Sequence, residues 1–101
     1  MQPTTSTFDP ETIRQQITPM VLISCGARNY VSGEDYLMFQ VGSKPRIVEK
    51  VIVTWVAVFD TYTVRYVAMK QSDYSTIADE SIPMVYADQL PKIVRQMGDR
   101  R

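Results

Sequence analysis

The acidic pair Asp79-Glu80 is the nearest thing in this sequence to a catalytic constellation. Two carboxylates sharing one site can divide into an acid and a base, because like charges push their pKa values apart. Adjacent residues on a strand point to opposite faces, however, so these two read as solvated charges ending a strand. Asp60 and Asp88 read as a turn residue and a helix cap. The chain has no histidine and a single cysteine, Cys25. A Cys/His zinc site, a Ser-His-acid triad and a Cys-His dyad all lack members. There is no Walker-type phosphate loop and no Gly-rich dinucleotide fingerprint. The expectation is a non-enzyme with no catalytic residues, no metal ligands and no cofactor.

Two residue sets could bind rather than react. Lys44, Arg46 and Lys50 form a loose basic group, which Arg28 and Arg65 could join on a sheet. Joined by Tyr36, Tyr62 and Tyr66, they could make an aromatic-basic face for single-stranded nucleic acid or a nucleotide, through stacking and phosphate contacts. The plainer alternative is a mixed-charge solvated face around Glu49, with the tyrosines as half-buried cross-strand partners. Eleven Lys+Arg balance eleven Asp+Glu, so no general positive field favours nucleic acid. The second set is Trp55-Val56-Ala57-Val58-Phe59, an apolar run near the middle of the chain. It is either extra strand filling a core or an exposed apolar loop, and the second would mark a contact site.

The elements that must carry these residues follow from pattern. Asp9-Pro10 and Thr18-Pro19 are cap-and-proline helix starts, with Phe8 and Ile13 spaced as a hydrophobic staple. They predict helices at about 10–17 and 19–25, the second ended by Gly26. Cys25 is then a small core residue. Arg28–Val31 could be a short strand before the Ser-Gly-Glu-Asp turn. Tyr36–Val41 alternates, with Leu37, Phe39 and Val41 inward. Val51–Lys70 is the longest apolar-rich stretch and reads as two strands joined near Asp60-Thr61, in the middle of the sheet. Tyr74–Asp79 predicts a shorter strand and Ser81-Ile82-Pro83 a break. From Tyr86 the pattern is helical, with Tyr86, Leu90, Ile93, Val94 and Met97 on one stripe. Pro91 requires either a start at Gln89 with Asp88 as cap, or a kink. The predicted fold class is α+β: two short N-terminal helices, a mostly antiparallel sheet of about four strands, and a C-terminal helix packed on it.

With 101 residues the chain makes one domain, expected at 9–98, with a flexible tail at 1–8 and a frayed end at 99–101. One cysteine forbids an internal disulfide and suits a reducing compartment. No apolar run reaches the roughly 20 residues that span a bilayer, and no secretory signal is visible.

Three segments resemble a group of small uncharacterised bacteriophage proteins of about this length. They are Gly26-Ala27-Arg28-Asn29-Tyr30 with Gly33 and Leu37-x-Phe39, then Asp60-x-Tyr62-x-Val64, then Val85-Tyr86-Ala87-Asp88-x-Leu90. The resemblance runs from roughly Ile17 to Gly98. It implies a phage or prophage origin and no activity. It favours a helix around Val21 and a loop around Val56–Asp60. That loop is usually polar in such proteins, whereas here it reads Trp55 to Phe59. The leading expectation is a phage accessory protein that binds a host factor in the bacterial cytoplasm, such as a component of a defence system that it inhibits. Trp55, Val56, Val58 and Phe59 are its candidate contacts. The alternatives are a nucleic-acid or nucleotide-binding module using Arg28, Lys44, Arg46 and Lys50, and a structural phage protein that self-associates into a homo-oligomer.

Overall fold

The computed structural model describes residues 9–42 and 44–98. The tail, the frayed end and Phe8 of the expected staple lie outside them. The first two helices start where the caps place them. The Asp9 carboxylate accepts from the Glu11 N–H at 3.1 Å, with Pro10 in the first turn, and α1 runs Pro10–Ile17. Thr18 caps α2, Pro19–Ser24, by accepting from the Val21 N–H at 3.4 Å. Thr18 does so at φ 85°, a costly conformation for a β-branched residue. Its own N–H donates to the Arg14 carbonyl at 3.1 Å and helps to hold it there.

Five antiparallel strands follow: β1 (Arg28–Ser32), β2 (Tyr36–Val41), β3 (Ile47–Val56), β4 (Thr61–Lys70) and β5 (Thr76–Val85). Their spatial order is their chain order. A 3-10 turn, Ala87–Gln89, leads into α3, Leu90–Gly98, which packs on the sheet. The class is α+β as expected, but the sheet has five strands rather than about four.

Two boundaries differ from expectation. The last strand starts at Thr76 and continues through Ser81-Ile82-Pro83 to Val85. Pro83 is accommodated because β5 is an edge strand and its ladder to β4 shifts register between Tyr62 and Val64; proline is tolerated at edges and bulges. At the closing helix, Asp88 lies inside the 3-10 turn rather than capping. The Gln89 side chain does the capping, accepting from the Tyr86 N–H at 3.0 Å. Pro91 is the second residue of α3, within its first turn, so nothing kinks.

All three helices cover one face of the sheet. Ile13, Ile17, Leu22, Leu90, Val94 and Met97 pack there against Leu37, Phe39, Val41, Val51, Val53, Val64 and Tyr66. Alternation explains the choice, since these strand residues recur every second position. Cys25 is buried in the same core. Each aliphatic side chain fully removed from water stabilises the fold by roughly 1.5–3 kcal/mol before conformational entropy is counted.

The same alternation carries a carboxylate inward. Glu49 precedes Val51 by two residues and is 3% exposed. The Tyr66 hydroxyl donates to its Oε1 at 2.6 Å. Gly42 lies against this carboxylate, and a Cβ at Gly42 would fall on it. With φ at 75°, Gly42 is a position that only glycine fits without strain.

On the opposite face Arg65 grips Asp79 with two bonds, Nε to Oδ1 at 2.9 Å and Nη2 to Oδ2 at 2.6 Å. The hydrogen bonds from Arg65, aided by its charge, lower the Asp79 pKa below the usual aspartate value. A lowered native pKa adds stability that is present above the unfolded value and lost as pH falls through the native one. The destabilisation caused by Asp79→Asn, read from urea midpoints, is therefore expected to be largest near neutral pH and to shrink on acidification below about pH 4. A difference that stays constant with pH would contradict this.

Candidate functional site

The ten-residue strands β3 and β4 pair along their whole length, from Val56 opposite Thr61 to Ile47 opposite Lys70. The turn left over is Ala57–Asp60, with Phe59 N–H donating to Val56 O and Asp60 N–H to Ala57 O, each at 3.2 Å. Asp60 closes it at φ 52°, a conformation aspartate tolerates better than most residues. This register settles the status of the apolar run. Trp55 and Val56 are strand residues; Trp55 is half-buried and packs against the core. Val58 and Phe59 stand at the tip, 86% and 60% exposed.

Neighbouring chain brings more apolar surface to the same end. Val85 pairs with Tyr62, so Met84 and Tyr86 flank the start of β4, and both are about half exposed. The Thr61 hydroxyl lies 3.8 Å from the Met84 sulfur. The β1–β2 turn is tied to this end by the Trp55 N–H, which donates to Asp35 O at 2.7 Å. Beneath the tip, the Tyr62 hydroxyl donates to Gln16 Oε1 at 3.1 Å. Burial, and then the Asp60 charge, raise the Tyr62 pKa, so this phenol stays protonated. Met84 and Tyr86 were not among the sequence candidates. Their signal was indirect, since it required knowing that β5 continues past Pro83.

The basic set is not assembled into one site. Arg28 donates to the Gly26 and Gly42 carbonyls at 3.0 and 2.8 Å, tying the end of β2 to the α2–β1 connection. Lys44 and Arg46 are exposed in the β2–β3 loop, at the end of the sheet remote from the tip. Lys50 stands between Gln40 and Val67 on the helix-free face. Of the four, Arg46 alone lines the open groove of about 730 Å³ beside Lys70, Gln71, Ser72 and Ile77. Strand parity divides the aromatic-basic grouping: Tyr62 and Tyr66 are buried on the helix side, while Arg65 and Lys50 are on the other. Tyr36 alone of the three tyrosines shares the face of Lys50.

The ionisable groups that do meet have evident structural uses. Glu49 is held by Tyr66 and Asp79 by Arg65, and Asp73 accepts from the Ser75 N–H and hydroxyl at 3.0 and 2.8 Å. Those Ser75 hydrogen bonds lower the Asp73 pKa. Asp79 and Glu80 do face opposite sides, aligned with Val67 and Tyr66 respectively. Among the described residues no three His, Cys, Asp or Glu side chains are grouped as metal ligands, and no helix is long and apolar enough to cross a membrane. Comparison with family models, curated proteins and solved structures returns no match.

Proposed function

We propose that this chain is a non-enzymatic bacteriophage accessory protein that acts by binding a host protein, in its most concrete form as an inhibitor of a bacterial defence component. The phage assignment rests on the Gly26–Phe39, Asp60–Val64 and Val85–Leu90 segments. The observation that carries the binding reading is the pair Val58 and Phe59, adjacent at a hairpin tip and 86% and 60% exposed. An aromatic and a branched side chain at a turn fill no core of their own chain. They have the form of anchors that enter a pocket on a partner, with Met84 and Tyr86 as the surrounding contact.

The test separates folding from binding. Val58→Asp/Phe59→Asp is expected to change unfolding stability by no more than about 0.5 kcal/mol per site, as is usual for exposed positions. The same change is expected to weaken capture of a host protein by tenfold or more, because buried anchors are each worth about 2 kcal/mol or more. Photo-crosslinking from position 59 in the bacterial host, followed by mass spectrometry, names the partner. Equal capture by the wild type and the double variant would discard the tip as the contact.

A further inference from the structure

The helices leave the other side of the sheet open. Register places Val31, Met38, Ile52 and Arg65 in one row across it, Gln40, Lys50, Val67 and Asp79 in the next, and Val48 with Met69 beyond. None of the apolar members belongs to the helix-side core cluster. Val31 is 47% exposed, while Met38, Val48, Ile52 and Met69 are half-buried with no described element above them.

The charge on this face is small. Arg65 and Asp79 neutralise each other, which leaves Lys50 and, at the β1 end of its row, Arg28, whose guanidinium is turned to the Gly26 and Gly42 carbonyls. A nucleic acid or an anionic bilayer requires several cations. A second copy requires the opposite, a face that can meet its own image without like-charge repulsion.

The dimensions fit such a meeting. Strands of ten residues, as β3 and β4 are, extend about 33 Å, and five strands stand about 19 Å between outer axes. Because β1 and β2 are only five and six residues long, the face measures on the order of 500 Å² before side-chain relief is counted, against about 800 Å² per partner in a standard stable interface. The edges offer less. β1 has five residues and a register shift between Arg28 and Val31. β5 carries Pro83, Asp79, Glu80 and two register shifts. Such features block edge-to-edge pairing.

We propose that two copies of this chain stack their helix-free sheet faces into a four-layer homodimer, with Met38, Val48 and Ile52 at the seam. The two sheets lie about 10 Å apart, as in other face-packed sheets. The proposal is independent of the tip.

Sedimentation velocity across a concentration series tests it, using the wild type, Ile52→Lys, Met38→Lys and, as a control, Phe59→Asp. The wild type is expected to approach twice the 11.6 kDa chain mass at micromolar concentration. Ile52→Lys and Met38→Lys should each weaken association at least tenfold with unchanged circular dichroism, and Phe59→Asp should leave it intact. Because both positions lie on the face away from the helices, the lysines do not enter the helix-side core. Hydrogen exchange of β2–β4 amides in the wild type, compared between dilute and concentrated samples, provides a reading that needs no variant. A wild type that stays at single-chain mass at every concentration overturns the proposal. So does a dimer that survives both lysines, or one that is lost with Phe59→Asp alone. A monomer whose open face becomes protected only when host extract is added would assign the face to another protein.

Discussion

Phe39→Ala is expected to lower the unfolding free energy by about 3–5 kcal/mol, the range for large aromatic truncations in packed cores. Phe39 has no exposed surface. It sits on β2 between Leu37 and Val41, pairs with Val51, and its ring centroid is 5.6 Å from that of Tyr30. Tyr30 in turn lies under the Arg14 guanidinium, 4.2 Å from its ring centroid. Truncation therefore opens a void where β1, β2 and α1 converge, and the β2 backbone is too tightly laddered to collapse into it. A domain of this size has only about 5–15 kcal/mol of stability, so the change uses a large share of it. Denaturant midpoints measure the loss. A cost below about 1 kcal/mol would mean that the site relaxes and the core is not close-packed there.

Tyr66→Phe is the second large effect, expected at about 2–3 kcal/mol. The substitution keeps the ring and deletes the hydroxyl that donates to Glu49 at 2.6 Å. Losing the donor to a buried acceptor costs more than the bond's net worth, because the acceptor remains desolvated. The nearby Gly42 backbone leaves the carboxylate little room to turn away. Glu49→Leu with Tyr66→Phe should recover much of the loss, since apolar groups of similar shape replace a buried polar pair at little cost. A double variant that loses the full sum of the two singles would show that the residues are not coupled.

These two positions also mark what could be read from residues alone. Phe39 was legible because Leu37-x-Phe39-x-Val41 alternates cleanly and is bounded by turns. Glu49 was less so. The alternation that turns Val51, Val53 and Trp55 inward extends back to it, yet a carboxylate is ordinarily a mark of solvent, and charge outweighed parity. Parity also sets Tyr62 and Tyr66 against Arg65, a conflict inside the aromatic-basic grouping that became visible only with the pairing register. β5 was poorly legible because an edge strand has little to bury, and Pro83 mimics a break. Val58 and Phe59 could not be placed by hydrophobicity, which is the same for a core strand and an exposed tip. Only the pairing of Val56 with Thr61 decided it.

The sheet order, in which no strand is skipped, has a consequence for how the molecule comes into being. Every pairing closes a loop between neighbours in sequence, which keeps contact order low for a β-rich protein and favours rapid folding. The β3–β4 hairpin can zip from Val56–Thr61 outward, and each further strand adds to an existing edge. The helix layer has a different timetable. α1 and α3 flank the sheet in the sequence but pack together, so the cover over Val53 and Val64 waits for Leu90, Val94 and Met97 to be made. During synthesis α1, α2 and the whole sheet are encoded before α3 is, and for that interval the part of the helix-side face that α3 will cover lies open to whatever is nearby.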